Sequence, residues 1–299
     1  VHKDCKLHYT EGVLRSVCDG EFQKKFARRD RDKNKEVYHS KIRIYVRTIK
    51  RLRDALLRTL MAEREKYPVN SDAGMINANK VWRVGRTVSS RIFKRFESND
   101  KGGFAVDLMI DSSTSQKGRE AKVAIQSYII ARALVEAGIP CRVTGFNCFL
   151  DFTVLKRFRD YDDHLLETEN IFEYYCEGSN RDGLAIKGIC DGLFNRAEEN
   201  KILIVLSDGK PNDIHLVKAE NKNPFRGEMA YSGGLAVGDT AKEVRIARQR
   251  GISVLGVFTG NEQELQAEKL IYGKDFIYTR DVNHFADIVT TYLKRIITC

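Results

Sequence analysis

One run of the sequence constrains the fold of this chain more than any other. Residues 104–110 are apolar except for Asp107, and the run ends at Asp111, after which hydroxyls follow at Ser113 and Ser115. A run of this kind is typical of a β-strand that is covered on both faces in a parallel sheet. In doubly wound α/β sheets, ligands bind beyond the carboxyl ends of the strands. The sequence therefore predicts a binding site at the end of this strand.

The rest of the C-terminal two thirds alternates between strand and helix patterns. Strands are predicted at residues 141–146, 202–207, 253–258 and 276–279, and helices at 118–137, 182–197, 239–250 and 283–296. This alternation predicts an α/β fold, in which a doubly wound, mostly parallel, Rossmann-like sheet carries helices on both faces.

Two stretches depart from this alternation. A helix is predicted over residues 79–96, from one apolar side formed by Val81, Val84, Val88, Ile92 and Phe96. Residues 151–178 show no regular pattern, and we expect their Asp162-Asp163-His164 cluster to be solvated.

The N-terminal part carries a different pattern. Over residues 38–66, apolar side chains recur on one face of a long predicted helix, at Tyr45, Ile49, Leu52, Leu56 and Leu60. This stripe must pack on the α/β domain or on another chain. We therefore predict a basic helical segment over residues 1–75 and the α/β domain over residues 76–299.

The positive charge of the chain is concentrated in this N-terminal segment. The whole chain has a formal charge of +10, and residues 1–70, with 19 Lys and Arg against 10 Asp and Glu, carry +9 of it. Such charge could bind nucleic acid through its phosphates. No recognised nucleic-acid motif accompanies the charge, so a solvated helix face is the favoured interpretation.

The residues after the strand predicted at 104–110 indicate which ion they would bind. One carboxylate and two hydroxyls, from Asp111, Ser113 and Ser115, are hard ligands that suit Mg²⁺ or Mn²⁺ and not zinc or copper. A second carboxylate, Asp208, follows the apolar run 202–206 and Ser207. Such residues after strands also serve as helix N-caps. Because two strand ends carry the carboxylates, we favour a metal site.

These motifs resemble those of a known family. Asp111-x-Ser113-x-Ser115, followed by a strand ending in Ser207-Asp208-Gly209, is similar to the metal-ion-dependent adhesion site of a von Willebrand factor A (VWA) domain. The resemblance narrows to the bacterial branch of nitric oxide reductase activation proteins and cobaltochelatase accessory subunits, the NorD and CobT types. The motifs that carry it are Gly74-Met-Ile-Asn-Ala-Asn-Lys-Val-Trp-Arg, Asn180-Arg-Asp-Gly183, Tyr231, Asp239-Thr240 and Ala247-Arg-Gln-Arg-Gly-Ile.

The resemblance implies further site residues and partners. The third loop of the family's site usually provides a threonine, and this chain has Asn180 and Asp182 there; either could be the ligand, and Asp182 could instead cap the following helix. The resemblance also implies a protein-binding module that takes an acidic side chain of a partner onto its cation. Proteins of this branch work beside an AAA+ ATPase of the MoxR or chelatase type that acts on a metalloenzyme, so we expect the chain to be the non-ATPase adaptor of such a pair.

Enzymatic alternatives have less support in the sequence. The chain has no phosphate-binding Gly-x-x-x-x-Gly-Lys-Ser/Thr loop, no dinucleotide fingerprint, no nucleophile elbow and no His-Glu-x-x-His helix. We therefore expect no enzymatic activity of its own. Metal-dependent phosphoryl hydrolysis at Asp111 and Asp208 is the alternative, although no general base is evident there.

Cysteine usage and hydropathy bear on the compartment. The seven cysteines form no Cys-x-x-Cys pair, which favours reduced thiols and a cytoplasmic location. No apolar run is long enough for a membrane span, and no signal-peptide pattern is present. The chain begins at Val1, so a fragment of a longer protein is expected.

Overall fold

A computed structural model describes residues 2, 5–15, 20–63, 66–86, 91–98, 103–217, 229–260, 265–278 and 282–298 of the chain. The strands are β1 (Lys6–Thr10), β2 (Lys66–Ser71), β3 (Met75–Ile76), β4 (Phe93–Ser98), β5 (Phe104–Asp111), β6 (Cys141–Phe149), β7 (Phe152–Arg159), β8 (Asn200–Ser207), β9 (Asp213–Val217), β10 (Met229–Tyr231), β11 (Ile252–Phe258) and β12 (Phe276–Tyr278). The α-helices are α1 (Glu21–Ser40), α2 (Ile42–Glu63), α3 (Glu120–Glu136), α4 (Asp182–Phe194), α5 (Gly233–Gln249), α6 (Leu265–Tyr272) and α7 (Val282–Thr298).

A seven-stranded sheet organises the molecule, in the order β1-β7-β6-β5-β8-β11-β12. Strands β6, β5, β8, β11 and β12 are parallel to one another. Strand β7 runs antiparallel to β6, and β1 adds to the edge parallel to β7. Helices cover both faces, so the predicted α/β class with a mostly parallel sheet is confirmed.

Strand β5 lies at the centre of the sheet, which explains its continuous apolar run. All eight of its residues are buried. Val106, Leu108 and Ile110 face the core that is shared with α2, α3 and α7. Ala105 and Met109 face the second core, against α4, α5 and α6. The strand therefore holds Asp111 at a fixed place on the carboxyl edge of the sheet.

The apolar stripe of the N-terminal segment packs on the domain. Tyr45, Ile49, Leu52 and Leu56 are buried in the core beside α3 and α7, and Leu60 is half-buried against it. The predicted packing of this stripe is confirmed. This helix, α2, starts at Ile42 and not at Tyr38. Tyr38 belongs to α1, and Lys41 has a non-helical backbone conformation (φ −126°, ψ 25°) that separates α1 from α2.

The predicted helix over residues 79–96 is wrong. Residues Ala78–Arg83 form 3₁₀ turns, and Phe93–Ser98 is strand β4, which pairs antiparallel with β2 and β3. Val81 and Val84, which were predicted on an apolar helix face, are 46% and 58% exposed. Burial of these two side chains therefore does not stabilise a helix there. Residues 87–90, and with them Val88, lie outside the described residues.

The irregular stretch 151–178 contains more order than its sequence indicates. It holds strand β7 and a 3₁₀ helix, Leu165–Glu173. In the connection between them, Asp162 and His164 are exposed and Asp163 is half-buried, with its carboxylate accepting from the Asp160 amide at 2.6 Å.

Two further predictions concern cysteines and membrane spans. Within the described residues, no disulfide joins Cys5, Cys141, Cys148, Cys176 and Cys190, while Cys18 and Cys299 lie outside them. In the part of the chain that the structure describes, none of the helices is long and apolar enough to cross a membrane.

Candidate metal centre

Three loops meet at the carboxyl edge of the sheet. One follows β5 and carries Asp111, Ser113 and Ser115; the second leads into α4 with Asn180 and Asp182; the third follows β8 with Asp208. Parallel strands place these ends at one edge, because β8 pairs directly with β5. The structure therefore brings the six predicted residues to one place.

The β5 loop is held in a tight turn by its own carboxylate. The Ser113 amide donates to Asp111 Oδ1 at 2.8 Å, and the hydroxyls of Ser113 and Ser115 lie 2.7 Å apart. The Tyr174 hydroxyl donates to the Asp111 carbonyl oxygen at 2.6 Å. Asp111 and Ser113 are buried, whereas Ser115 is exposed, so the site opens to solvent on the side of Ser115.

The second loop distinguishes the roles of Asn180 and Asp182. The Asn180 amide nitrogen donates to Asp182 Oδ1 at 2.9 Å and to Asp111 Oδ2 at 3.4 Å. Its side-chain oxygen accepts from the Asn212 backbone amide at 3.0 Å, which fixes the orientation of the side chain. The side-chain nitrogen of Asn180 thus bridges Asp111 and Asp182, and its side-chain oxygen is used elsewhere. Asp182 adds its carboxylate to those of Asp111 and Asp208.

A buried network braces this loop. The Arg181 guanidinium pairs with Asp213 at 2.7 Å and lies 4.3 Å from the ring centroid of Tyr231. The Tyr231 hydroxyl donates to Asp239 Oδ2 at 2.6 Å. A Cβ on Gly183 would lie 2.3 Å from that same oxygen, so a side chain at this position would displace the Asp239 carboxylate where α4 meets α5. The motifs that carried the family resemblance therefore position Asp182.

The third loop contributes Asp208 together with a nearby positive charge. The Lys210 amide donates to Asp208 Oδ1 at 3.2 Å, and the Arg119 guanidinium lies 4.0 Å from Asp208 Oδ2. Ser207, which precedes Asp208, donates to Asp182 Oδ2 at 3.1 Å. The three loops are thus joined by hydrogen bonds between their side chains.

The carboxylates crowd one another away from water. Burial, and then the charge of Asp208, raises the pKa of Asp111 to about 7. Burial, followed by the charges of Asp111 and Asp208, raises the pKa of Asp182 well above its usual range. Like charges in a desolvated site are costly unless a cation compensates them. The donor set fits Mg²⁺ or Mn²⁺, which accept carboxylate and hydroxyl oxygens.

The site has a fourth nearby carboxylate, Glu268, which the sequence patterns do not indicate. Glu268 on α6 is fully buried, and neither of its oxygens has a hydrogen-bond partner among the described residues. It packs against the backbone of Gly209 and Gly256, where a Cβ would lie within 3 Å of its oxygens. Burial, and then Asp182, Asp208 and Asp111, raises its pKa well above the usual range. No strand-end pattern marks this residue.

The chain is similar in sequence to known proteins. A family model described as the "Cobalamin biosynthesis protein CobT VWA domain" matches residues 92–160. The uncharacterized protein YojO of Bacillus subtilis (strain 168) is 26% identical over 262 residues, which cover 83% of this chain and 38% of that protein. The chain thus spans well under half the length of this curated relative.

One solved structure of low sequence identity shares the fold, and a second is more distantly similar. The vWF domain of the type V pili tip protein Mfa5 from Porphyromonas gingivalis matches with a TM-score of 0.51 at 10% identity, over 66% of this chain and 97% of that domain. The manganese-loaded TRAP protein of Plasmodium vivax matches with a TM-score of 0.44 at 13% identity, over 65% of this chain and 73% of that one.

A parallel sheet with hydroxyl and carboxylate loops at its carboxyl edge defines a von Willebrand factor A domain, a fold generally used for protein interaction. Over residues 92–160 this chain is similar to VWA-domain proteins of the CobT type.

Proposed function

We propose that this domain binds a partner protein through Mg²⁺ or Mn²⁺ held at its carboxyl edge. The observation that carries the proposal is the meeting of three buried carboxylates, Asp111, Asp182 and Asp208, with two hydroxyls at an opening to solvent. Asp111, Ser113, Ser115 and Asp208 would hold the ion, with Asp182 as the third carboxylate and Asn180 orienting it.

The partner would complete the coordination of the ion. Mg²⁺ takes about six oxygen ligands and keeps several positions for water. The exposed side at Ser115 leaves room for an oxygen from outside the domain, and an acidic side chain is the donor that a cation attracts most strongly. The chain's own residues fix the ion and exclude water on the buried side.

We infer further that the domain is the non-ATPase adaptor of an AAA+ ATPase of the MoxR or chelatase type, which acts on a metalloenzyme. Two observations support this role. The matching family model is named for a cobalamin biosynthesis protein, and the chain lacks a phosphate-binding loop of its own.

Affinity capture tests the proposal. The chain is immobilised and mixed with purified AAA+ ATPases from the same organism, with Mg²⁺ and with a chelator. We expect capture that the chelator abolishes and that Asp111→Ala removes. Lys269→Ala, a change at an exposed position on α6, serves as the control that leaves capture intact.

One result would contradict the adaptor role. Phosphatase activity that needs the metal, that Asp208→Ala abolishes and that requires no partner would replace the adaptor by a metal-dependent phosphoryl hydrolase.

A further inference from the structure

A cavity of about 680 Å³ lies beside the candidate metal centre. It is bounded by the β6–β7 hairpin, by the segment around Gly12 and by Gln23 at the start of α1. Ser112, which stands between the proposed ligands Asp111 and Ser113, lines it. A cavity of this size is in the range of ligand sites, which span roughly 300–1,000 Å³. Cavity and metal centre thus share one loop.

The walls of the cavity are mainly apolar. Phe149, Phe152 and Val154 come from the hairpin, and Tyr175 closes the wall beside it. At the tip of the hairpin, Phe149 is 56% exposed and Leu150 is 74% exposed. Leu150 also has φ 56°, a backbone conformation that a bulky residue rarely adopts and that is frequent at binding sites. The hairpin therefore presents apolar surface at the mouth of the cavity.

One cation stands in this apolar wall. The Lys156 ammonium donates to the Glu173 carbonyl oxygen at 3.1 Å and lies 4.4 Å from the ring centroid of Tyr175. Among the described residues this carbonyl oxygen is the one hydrogen-bond acceptor of Lys156, and an ammonium has three donors, which leaves capacity for a ligand oxygen. Burial lowers the pKa of Lys156 to about 8, which the charge of Glu173 opposes. A carboxylate brought to this position would stabilise the ammonium.

We propose that this cavity receives a large apolar side chain of the same partner segment whose carboxylate reaches the metal ion. The inference rests on the proposed function and adds the chemistry of the partner. Charge complementarity defines that chemistry: an ion held by the Asp111 loop would attract a carboxylate, and so would Lys156, although Glu177 lines the same cavity. Apolar lining comes from Phe149, Phe152 and Val154. The partner segment therefore carries an acidic residue for the ion, a Leu, Ile or Phe for the cavity, and a second acidic residue for Lys156.

Blocked synthetic peptides provide the probes. The first contains one Glu and one Leu a few residues apart, the second replaces Leu by Ser, and the third replaces Glu by Gln. Affinities are measured by fluorescence anisotropy on the full chain with Mg²⁺ and with a chelator. We expect the Glu–Leu peptide to bind about tenfold more tightly than the Glu–Ser peptide, because it buries one large apolar side chain.

Variants of the chain locate the effect. Phe149→Ser changes an exposed residue, so the fold is retained, and it should remove the preference for Leu. A fourth peptide adds a second Glu to the Glu–Leu peptide, and Lys156→Met should weaken binding of this peptide more than binding of the Glu–Leu peptide. Phe194→Ser, at a similarly exposed apolar residue at the end of α4, is the matched control and should change nothing.

The outcomes separate the two proposals. Equal binding of the Glu–Leu and Glu–Ser peptides, still dependent on Mg²⁺, overturns the cavity assignment and leaves the proposed function standing. Mg²⁺ binding seen by calorimetry without capture of any acidic peptide overturns both. Octanoate binding that needs no Mg²⁺ and exceeds that of the Glu–Leu peptide overturns the peptide assignment in favour of a small carboxylate.

Discussion

At the scale of single residues, the buried carboxylate of Asp111 makes metal binding depend on pH. Its pKa is raised to about 7 in the protein without metal, chiefly by burial. A ligand carboxylate must be ionised, so we expect affinity for Mg²⁺ to increase as the pH rises through about 7. The pKa of Asp111 in the folded protein lies above its unfolded value of 3.8. In the metal-free protein, its contribution to stability is therefore complete below pH 3.8 and is lost as the pH rises through about 7.

Calorimetry at about pH 6 and about pH 8 measures this effect, in two buffers that differ in ionisation enthalpy so that proton release is detected. Asp111→Ala should abolish binding at both values. An affinity for Mg²⁺ that is flat across this range would contradict the buried carboxylate as a ligand.

The geometry also separates the roles of Asp182 and Asn180. Asp182 offers carboxylate oxygens to the cluster, whereas Asn180 donates to Asp182 and Asp111 and gives its oxygen to the Asn212 amide. We expect Asn180→Ala, which removes an orienting partner, to weaken Mg²⁺ binding by about 10–100-fold, and Asp182→Asn, which removes a ligand charge, to weaken it more. The reverse order of these two effects would assign the ligand oxygen to Asn180.

How far the site could be predicted depends on where each residue stands in the sequence. Asp111, Ser113, Ser115 and Asp208 follow apolar runs, and their meeting at one edge follows from the parallel sheet. The choice between Asn180 and Asp182 depends on one side-chain orientation, which a backbone amide far along the chain fixes. Glu268 is unpredictable by such reasoning, since it reaches the site across Gly209 and Gly256 from a short helix without a motif.

At the scale of elements, the contact between α4 and α5 tests the brace behind Asp182. A methyl group on Gly183 would meet Asp239 Oδ2 at 2.3 Å, and Asp239 is held there by the Tyr231 hydroxyl. We expect Gly183→Ala to shift the start of α4 and to lower Mg²⁺ affinity. Gly238→Ala, in α5 with open space around its Cβ, is the control, and it should bind Mg²⁺ normally. Equal Mg²⁺ affinities of both variants in calorimetry would show that the packing of Gly183 against Asp239 does not position Asp182.

The stripe on α2 carries a prediction about stability. Leu52 and Leu56 are fully buried in the shared core. Large-to-small changes at such positions cost about 2–5 kcal/mol each, and a buried hydroxyl without a partner adds to that cost. We expect Leu52→Ser and Leu56→Ser to lower the free energy of unfolding in urea at any salt concentration. Ile44→Ser, at a residue of α2 that is 46% exposed, should have little effect.

The elements that the sequence did not reveal share a physical cause. Strand β7 carries Lys156, Arg157 and Arg159, which hide its alternation, yet Arg159 is buried with its guanidinium donating to the carbonyl oxygens of Asp163 and His164. Strand β1 contains Lys6 and His8 and becomes a strand by pairing with β7. Both depend on partners distant in sequence, so local patterns could not indicate them. The spacing over 79–96 matched a helix, but strand pairing by β4 determined part of its structure.

At the scale of the whole molecule, the positive charge of the N-terminal segment serves partly to attach it. Lys35 pairs with Glu169 at 2.7 Å, Arg51 with Asp287 at 3.1 Å and Arg53 with Glu136 at 3.5 Å. Exposed pairs of this kind contribute about 0–1 kcal/mol each, so they tune the packing rather than drive it.

If Arg51→Gln abolished a salt-sensitive interaction with nucleic acid while the α2 leucine variants stayed silent, the nucleic-acid alternative would be restored.

The division into residues 1–75 and residues 76–299 leads to the last prediction. Tyr45, Ile49, Leu52 and Leu56 are buried in the domain's core, and β1 pairs with its edge strand β7. Burying a large apolar side chain contributes roughly 1.5–3 kcal/mol, so four of them contribute about 6–12 kcal/mol, which is comparable to the roughly 5–15 kcal/mol that keeps a whole protein folded. We therefore expect a protein of residues 76–299 alone to lose cooperative thermal unfolding and to bind a hydrophobic dye, with recovery of both when residues 1–75 are added in trans. A shortened protein that unfolds at the same temperature as the full chain and binds Mg²⁺ equally well would show instead that the N-terminal segment is a separate unit.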